Sequence, residues 1–249
     1  MQLLVSVANA AEAVAALGGG ADVIDAKDPS TGALGPVSAD VLREISSVVA
    51  RSCLLTAALG DATDEISIER LAWSFADAGT AFVKVGFAGI SDAERVVGLI
   101  AATVRGASAE SAGRCGVVAV AYADADDAAS IAPAALIDVA SRAGARGVLI
   151  DTANKDAPGL RALMDPDALR AWVARAHAAR LLVALAGRLT ADDLPFVRAA
   201  GADIAGVRGA ACEGGRTGRV SADKVRMLRT LSAASACEMS PLSHPQYAF

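Results

Sequence analysis

Eight short runs of β-branched and aliphatic residues recur along the chain, at about 2–6, 22–27, 53–58, 81–86, 116–121, 147–151, 181–186 and 203–208. Each has the length of a strand. Between them lie stretches with helical apolar spacing, such as Val41/Leu42/Ile45/Val48/Val49, Ile66/Ile68/Leu71/Phe75, Val96/Val97/Ile100/Val104 and Leu169/Trp172/Val173. This alternation is the tightest constraint on the fold, because strands separated by helices pair in parallel and need those helices to cover the sheet. A weak internal repeat keeps the same rhythm: Gly20-Ala21-Asp22-Val23-Ile24, Gly79-Thr80-Ala81-Phe82-Val83, Gly144-Ala145-Arg146-Gly147-Val148 and Gly201-Ala202-Asp203-Ile204-Ala205. In each, a glycine stands where a helix needs a left-handed residue to stop, and a buried strand begins directly after it.

Eight βα units in 249 residues match a single (β/α)8 TIM barrel. An open doubly wound sheet would want a glycine fingerprint after its first strand, and Val5-Ser6-Val7-Ala8-Asn9-Ala10 is not one. No Pro/Gly/Ser-rich linker divides the chain. The expectation is one barrel domain over residues 1–232 and a tail, 233–249, to which the sequence assigns no role. The loop after the second strand, residues 28–36, reads either as a lid or as an ordinary irregular loop.

Composition narrows the function. Hydrophobic residues at 54% exclude a disordered chain, while a net charge of −5 and only 4% aromatics undersupply both phosphate-backbone attraction and base stacking. No nucleic-acid partner is expected. The N-terminal stretch has no Lys or Arg before it, Glu12 interrupts the apolar residues beyond it, and no apolar run approaches the roughly 20 residues of a membrane span. The chain is expected to be cytoplasmic, with no membrane partner. Cys53, Cys115, Cys212 and Cys237 are scattered without C-x-x-C spacing and the histidines are His177 and His244, so no zinc site assembles. Cys212 reads as a small buried side chain rather than a nucleophile. Tyr122-Ala123-Asp124-Ala125-Asp126-Asp127 is equally a solvated acidic loop and a ligand contact, and Asp61 and Asp64 read the same way.

Lysine is scarce. Of 23 basic residues only Lys27, Lys84, Lys155 and Lys224 are lysines. Lys27 closes the second strand, Lys84 lies inside the fourth and Lys155 comes after the sixth, on the C-terminal face where barrel active sites form. Alternate strands fill one interior layer, so Lys27, Lys84, Asp151 and Arg208, on strands two, four, six and eight, are expected to converge, with Asp25 one layer below Lys27. Burial and a second cation both lower an amine's pKa. A neutral amine attacks a carbonyl, and the imine acidifies the adjacent C–H for a second amine or carboxylate to deprotonate. After strands seven and eight, Leu185-Ala186-Gly187-Arg188 and Val207-Arg208-Gly209-Ala210-Ala211-Cys212 offer small residues and arginines where barrels bind phosphate. The run Gly214-Gly215-Arg216-Thr217-Gly218-Arg219 adds donors. Together these point to an anionic carbonyl substrate such as a sugar phosphate, with Gly187, Arg188, Arg208, Gly209 and Ala210 at the phosphate, and with neither cofactor nor metal.

Val23-Ile24-Asp25-Ala26-Lys27-Asp28-Pro29, Val83-Lys84-Val85-Gly86, Tyr122-Ala123-Asp124, Asp151-Thr152-Ala153-Asn154-Lys155-Asp156, Ala184-Leu185-Ala186-Gly187 and Val207-Arg208-Gly209-Ala210-Ala211-Cys212 resemble the (5-formylfuran-3-yl)methyl phosphate synthases, in order and spacing, from about residue 2 to 230. The resemblance implies a barrel enzyme, a lyase. It would condense two molecules of glyceraldehyde 3-phosphate into 4-(hydroxymethyl)-2-furancarboxaldehyde phosphate, releasing phosphate and water, for the furan cofactors of one-carbon metabolism, methanofuran and methylofuran. It implies Lys27 as the Schiff-base lysine, Lys84 as the proton-transferring lysine, and Asp25, Asp151 and Lys155 as further polar residues of the site. Arg188 departs from the pattern, which has a smaller polar residue there. The segment after about 232 extends past the family core. A homo-oligomer is expected, and the tail would be disordered or pack on a neighbouring subunit. A class I aldolase acting on another sugar phosphate would use the same imine chemistry, and a non-catalytic phosphoester-binding barrel would need none of it.

Overall fold

Every one of the eight apolar runs is a strand. The computed structural model of the protein describes residues 1–111 and 114–233. Strands β1 (Gln2–Val7), β2 (Val23–Ala26), β3 (Leu54–Asp61), β4 (Phe82–Gly86), β5 (Gly116–Tyr122), β6 (Gly147–Asp151), β7 (Leu182–Leu185) and β8 (Ile204–Val207) pair in parallel in that order. β8 returns to β1, with Leu4 opposite Gly206, and closes the (β/α)8 barrel. Outside it run α1 (Ala10–Gly18), α2 (Ala39–Val49), α3 (Glu65–Asp77), α4 (Ala93–Ser111), α5 (Pro133–Arg142), the short α6 (Leu160–Leu163), α7 (Pro166–Ala178), α8 (Leu194–Ala199) and α9 (Ala222–Ala233).

Side chains alternate along each strand, so one set faces the helices and the other the barrel axis. Leu3, Val5 and Val7 of β1, Ile24 and Ala26 of β2, Val83 and Val85 of β4, and Val148 and Ile150 of β6 belong to the large core under the helices. Leu4, Val23, Val118, Leu149, Ala184 and Ile204 fill the axis. The next inward positions up are Ser6, Asp25, Lys84 and Asp151, all buried. Polarity therefore begins where the apolar plug ends.

The repeat glycines stop helices as the sequence predicts: Gly20, Gly79, Gly144 and Gly201 have φ of +85°, +89°, +82° and +86°. Each precedes a strand. Ile66 departs from its expected place. It stands about 200° around α3 from Ile68, outside the stripe of Ile68, Ala72 and Phe75, and is 66% exposed.

After β8 the chain makes a 3-10 turn, Gly209–Ala211, and then a small antiparallel hairpin of β9 (Cys212–Glu213) and β10 (Arg219–Val220), where the sequence pattern predicts only a donor-rich loop. Lys224 of α9 braces it, with Nζ 2.7 Å from the Cys212 carbonyl. Residues 28–36 fold over the barrel mouth. Asp28 N–H donates to Gly35 O at 2.9 Å, and Leu34 is buried. Residues 234–249 of the expected tail lie outside the described residues. Among the described residues no helix is long and apolar enough to cross a membrane.

Candidate active site

The C-terminal ends of the strands surround a cavity of about 270 Å³. It is lined by side chains from even-numbered strands and their loops: Lys27, Lys84, Asp151, Lys155 and Arg208, with Ser6 from β1. The volume suits a small ligand.

Asp25 is wholly buried and accepts three hydrogen bonds. Its Oδ2 takes Ser6 Oγ–H at 2.9 Å and the Lys84 ammonium at 2.6 Å, and its Oδ1 takes Thr56 Oγ1–H at 2.7 Å. Registration explains the cluster, since Ser6 and Thr56 are the partners of Asp25 on β1 and β3 and so face the same way. Lys84 reaches Asp25 from β4 across β3. A buried carboxylate needs this saturation to remain charged.

A second carboxylate sits higher. Asp151 Oδ1 accepts Thr152 N–H at 2.8 Å and Lys155 Nζ–H at 2.6 Å, and Oδ2 lies 4.0 Å from Lys27 Nζ. Burial opposes ionisation of Asp151, but Lys155 and Lys27 outweigh it and hold its pKa below the usual carboxylate value. Lys155 is fully committed, because its Nζ also donates to Thr152 O at 2.5 Å and Thr152 Oγ1 at 3.3 Å. Asp124 fixes this loop from β5 by accepting Ala153 and Asn154 N–H at 2.7 and 2.8 Å.

Lys27 differs from both. Its backbone N–H continues the ladder to Val7 O, but among the described residues its Nζ has no hydrogen-bond partner, only Asp151 at 4.0 Å. Burial lowers its pKa from 10.5 to about 8, with Asp151 acting against the shift and Lys84 and Lys155 adding to it. The arrangement supplies an amine that is partly neutral near neutral pH, beside two lysine–carboxylate pairs.

Gly187 and Arg188 after β7, and Gly209 and Ala210 after β8, also line the cavity. Among the described residues the N–H groups of Gly187, Gly209 and Ala210 have no backbone acceptor. Gly187 (φ +102°) turns its carbonyl away to Leu160 N–H at 2.9 Å, and a Cβ there would come within 3.1 Å of Thr152 Cγ2.

Arg208 is placed differently from the expectation of a phosphate ligand. Its Nη1 donates to Ser6 O and Glu12 Oε2 (2.9 and 2.8 Å), its Nη2 to Glu12 Oε1 and Gly218 O (3.2 and 3.3 Å), and its Nε to Arg216 O (2.8 Å). All five N–H groups are engaged by protein acceptors. Glu12 itself also accepts Ala8 N–H at 2.7 Å. Sequence reasoning missed this partner. The available signal was Asn9-Ala10-Ala11-Glu12, a helix cap whose Asn9 Oδ1 accepts Glu12 N–H at 3.0 Å.

Asp61 and Asp64 serve separate ends. Asp61 accepts Tyr122 O–H and Ala88 N–H at 2.7 and 2.8 Å, and Asp64 caps α3 through Ser67 N–H. Burial and the Asp61 carboxylate push the Tyr122 phenol's pKa far up. Among the described residues no three His, Cys, Asp or Glu side chains group as a metal site would require.

The family model and the relatives found by sequence agree on one family. The sequence model of 4-HFC-P synthase matches residues 3–229. The chain belongs to that family. It is 38% identical over 236 residues to the (5-formylfuran-3-yl)methyl phosphate synthase of Methanopyrus kandleri, covering 94% of this chain and 99% of that one. The enzyme of the same name from Methanothermobacter thermautotrophicus is 36% identical over 234 residues, covering 93% and 98%. Among solved structures, 3-hexulose-6-phosphate synthase superimposes with a TM-score of 0.63 at 22% identity, covering 94% of this chain and 100% of that one, a likeness of fold. Members of the family are synthases, and the chain is an enzyme.

Proposed function

We propose that the chain catalyses the reaction for which its relatives are named, as a lyase that condenses two glyceraldehyde 3-phosphates into 4-(hydroxymethyl)-2-furancarboxaldehyde phosphate with loss of phosphate and water. The observation that carries the reading is Lys27: a buried amine, without a hydrogen-bonded counter-ion among the described residues, with a pKa of about 8. Its neutral form attacks the carbonyl of the first triose phosphate, whose phosphate lies against the amides of Gly187, Gly209 and Ala210 with Arg188 beside them. Asp25 takes a proton from the Lys84 ammonium 2.6 Å away, and the freed amine removes the α-proton of the imine. The enamine then attacks the second aldehyde. Asp151, held by Lys155, relays protons through phosphate loss, ring closure and dehydration. Arg208 acts by fixing the loop after β8 and does not touch the ligand. The furan would enter methanofuran or methylofuran synthesis, in the cytoplasm.

Borohydride reduction in the presence of glyceraldehyde 3-phosphate, with subsequent peptide mapping, tests this. The expected result is a substrate-dependent adduct on Lys27 that is absent in Lys27→Arg, together with inorganic phosphate release and near-UV furan absorbance. Trapping should rise with pH through a midpoint of about 8 and level off roughly one pH unit above it, as the amine loses its proton. An aldolase would give the adduct without phosphate release, and a binding protein would give no adduct.

A further inference from the structure

Six cationic side chains line the cavity, and their hydrogen bonds sort them. Lys84 is ion-paired to Asp25, Lys155 has all three ammonium hydrogens engaged, and Arg208 all five of its N–H groups. Lys27 is the amine of the imine chemistry. Arg188 and Arg216 remain. Among the described residues Arg188 donates only to Ala157 O, and Arg216 only to Pro29 O from Nη1 and to Gly32 O, at 2.6 Å, from Nη2. Both keep N–H groups for an anion.

The two arginines stand in different places. Arg188 adjoins the amide cradle after β7. Arg216 is half-buried at the tip of the β9–β10 hairpin, its main chain packed over Gly209 and its guanidinium carried to the loop that starts at Lys27. Two carbonyls hold that guanidinium in position, so little side-chain freedom is left to lose on binding. Condensing two triose phosphates brings two dianions into one small cavity, where their repulsion forbids a shared cradle.

We propose that Arg216 forms a second phosphomonoester subsite, which holds the phosphate of the second triose on the Lys27 side of the cavity while the amides of Gly187, Gly209 and Ala210 hold the first. This rests on the two-triose reading above. Binding there also ties the hairpin to the loop of residues 28–36, because one guanidinium bridges both and the ligand.

The test titrates the full chain with inorganic phosphate by calorimetry and measures glyceraldehyde 3-phosphate kinetics, in wild type, Arg216→Gln and Arg216→Lys. Wild type should take up a second phosphate per chain. R216Q should lose it and keep the first. R216Q should raise KM on the order of ten- to a hundredfold, the loss of a charge-assisted bidentate contact, and R216K by less, while borohydride trapping on Lys27 persists in both. A single phosphate per chain in wild type, or a second that survives R216Q, overturns the subsite. Equal damage in R216K and R216Q with phosphate uptake unchanged overturns it too, because that is the signature of a strap. Phosphate uptake is read without turnover, so a wild-type protein that forms no furan would count against the two-triose reading alone.

Discussion

Lys27 holds an ammonium-forming group out of water without a bonded carboxylate, and this has a consequence for stability as well as for chemistry. Its folded pKa, about 8, lies below the unfolded value of 10.5. The unfolded chain therefore binds more protons between those values, and stability should rise with pH across that window. Below pH 8 the penalty is fully present and amounts to about 3 kcal/mol. Lys27→Met should accordingly be inactive yet more stable at pH 7 by about 1–3 kcal/mol, with the gain fading as pH approaches 10.5; denaturant unfolding at the two pH values reads it. A variant less stable than wild type at pH 7 would contradict the burial argument. Asp151 works in the opposite sense: its pKa is depressed, so it stabilises above the usual carboxylate pKa and that contribution is lost as pH falls through the folded value. At this scale the lysines were legible because surface charge here is carried by arginine, so each inward lysine stands out. Arg208 was not, because its acidic partner lies 196 residues away in sequence and only barrel closure brings Glu12 to it.

Closure of β8 onto β1 leaves the loop after β8 facing the start of α1, and the Glu12–Arg208 pair joins them at 2.8 Å where both side chains are buried. Removing one charge from such a pair strands the other. Glu12→Gln should therefore destabilise by about 2–4 kcal/mol, read as a lower denaturation midpoint. It should also expose residues 213–219 to proteolysis, since Arg208 anchors the hairpin through Arg216 O and Gly218 O. A change below about 0.5 kcal/mol would mark the pair as a surface-like contact. The helix ends show why the internal repeat looked weak in sequence. Ala50 ends α2 at φ +44° and Arg180 comes just after α7 at φ +59°, so two further helix stops use positive φ without the glycine that advertises it, at about 1–2 kcal/mol each. The β9–β10 hairpin was illegible for a different reason: two-residue strands around a glycine-rich turn carry no alternation to read.

For the whole molecule, two interleaved patterns did the informing. The eightfold alternation dictated the barrel, and the parity of residues along each strand dictated which end of it would be polar. Leu4 before Ser6, Val23 before Asp25 and Leu149 before Asp151 each place an apolar plug residue one inward step below a site residue. Both patterns are complete before α9 ends at Ala233, and the family match stops at residue 229. Among the described residues beyond β10, Ser221 N–H, which donates to Ala211 O at 2.9 Å, and Lys224 of α9 brace the turn and hairpin after β8. The barrel over residues 1–232 should thus be autonomous. Ending the chain after Ala233 should leave unfolding free energy within about 0.5 kcal/mol of full length and furan formation unchanged. Sedimentation of both chains completes the test. If the truncated protein loses a subunit contact and its activity with it, the tail belongs to the working enzyme and the catalytic unit is larger than the barrel.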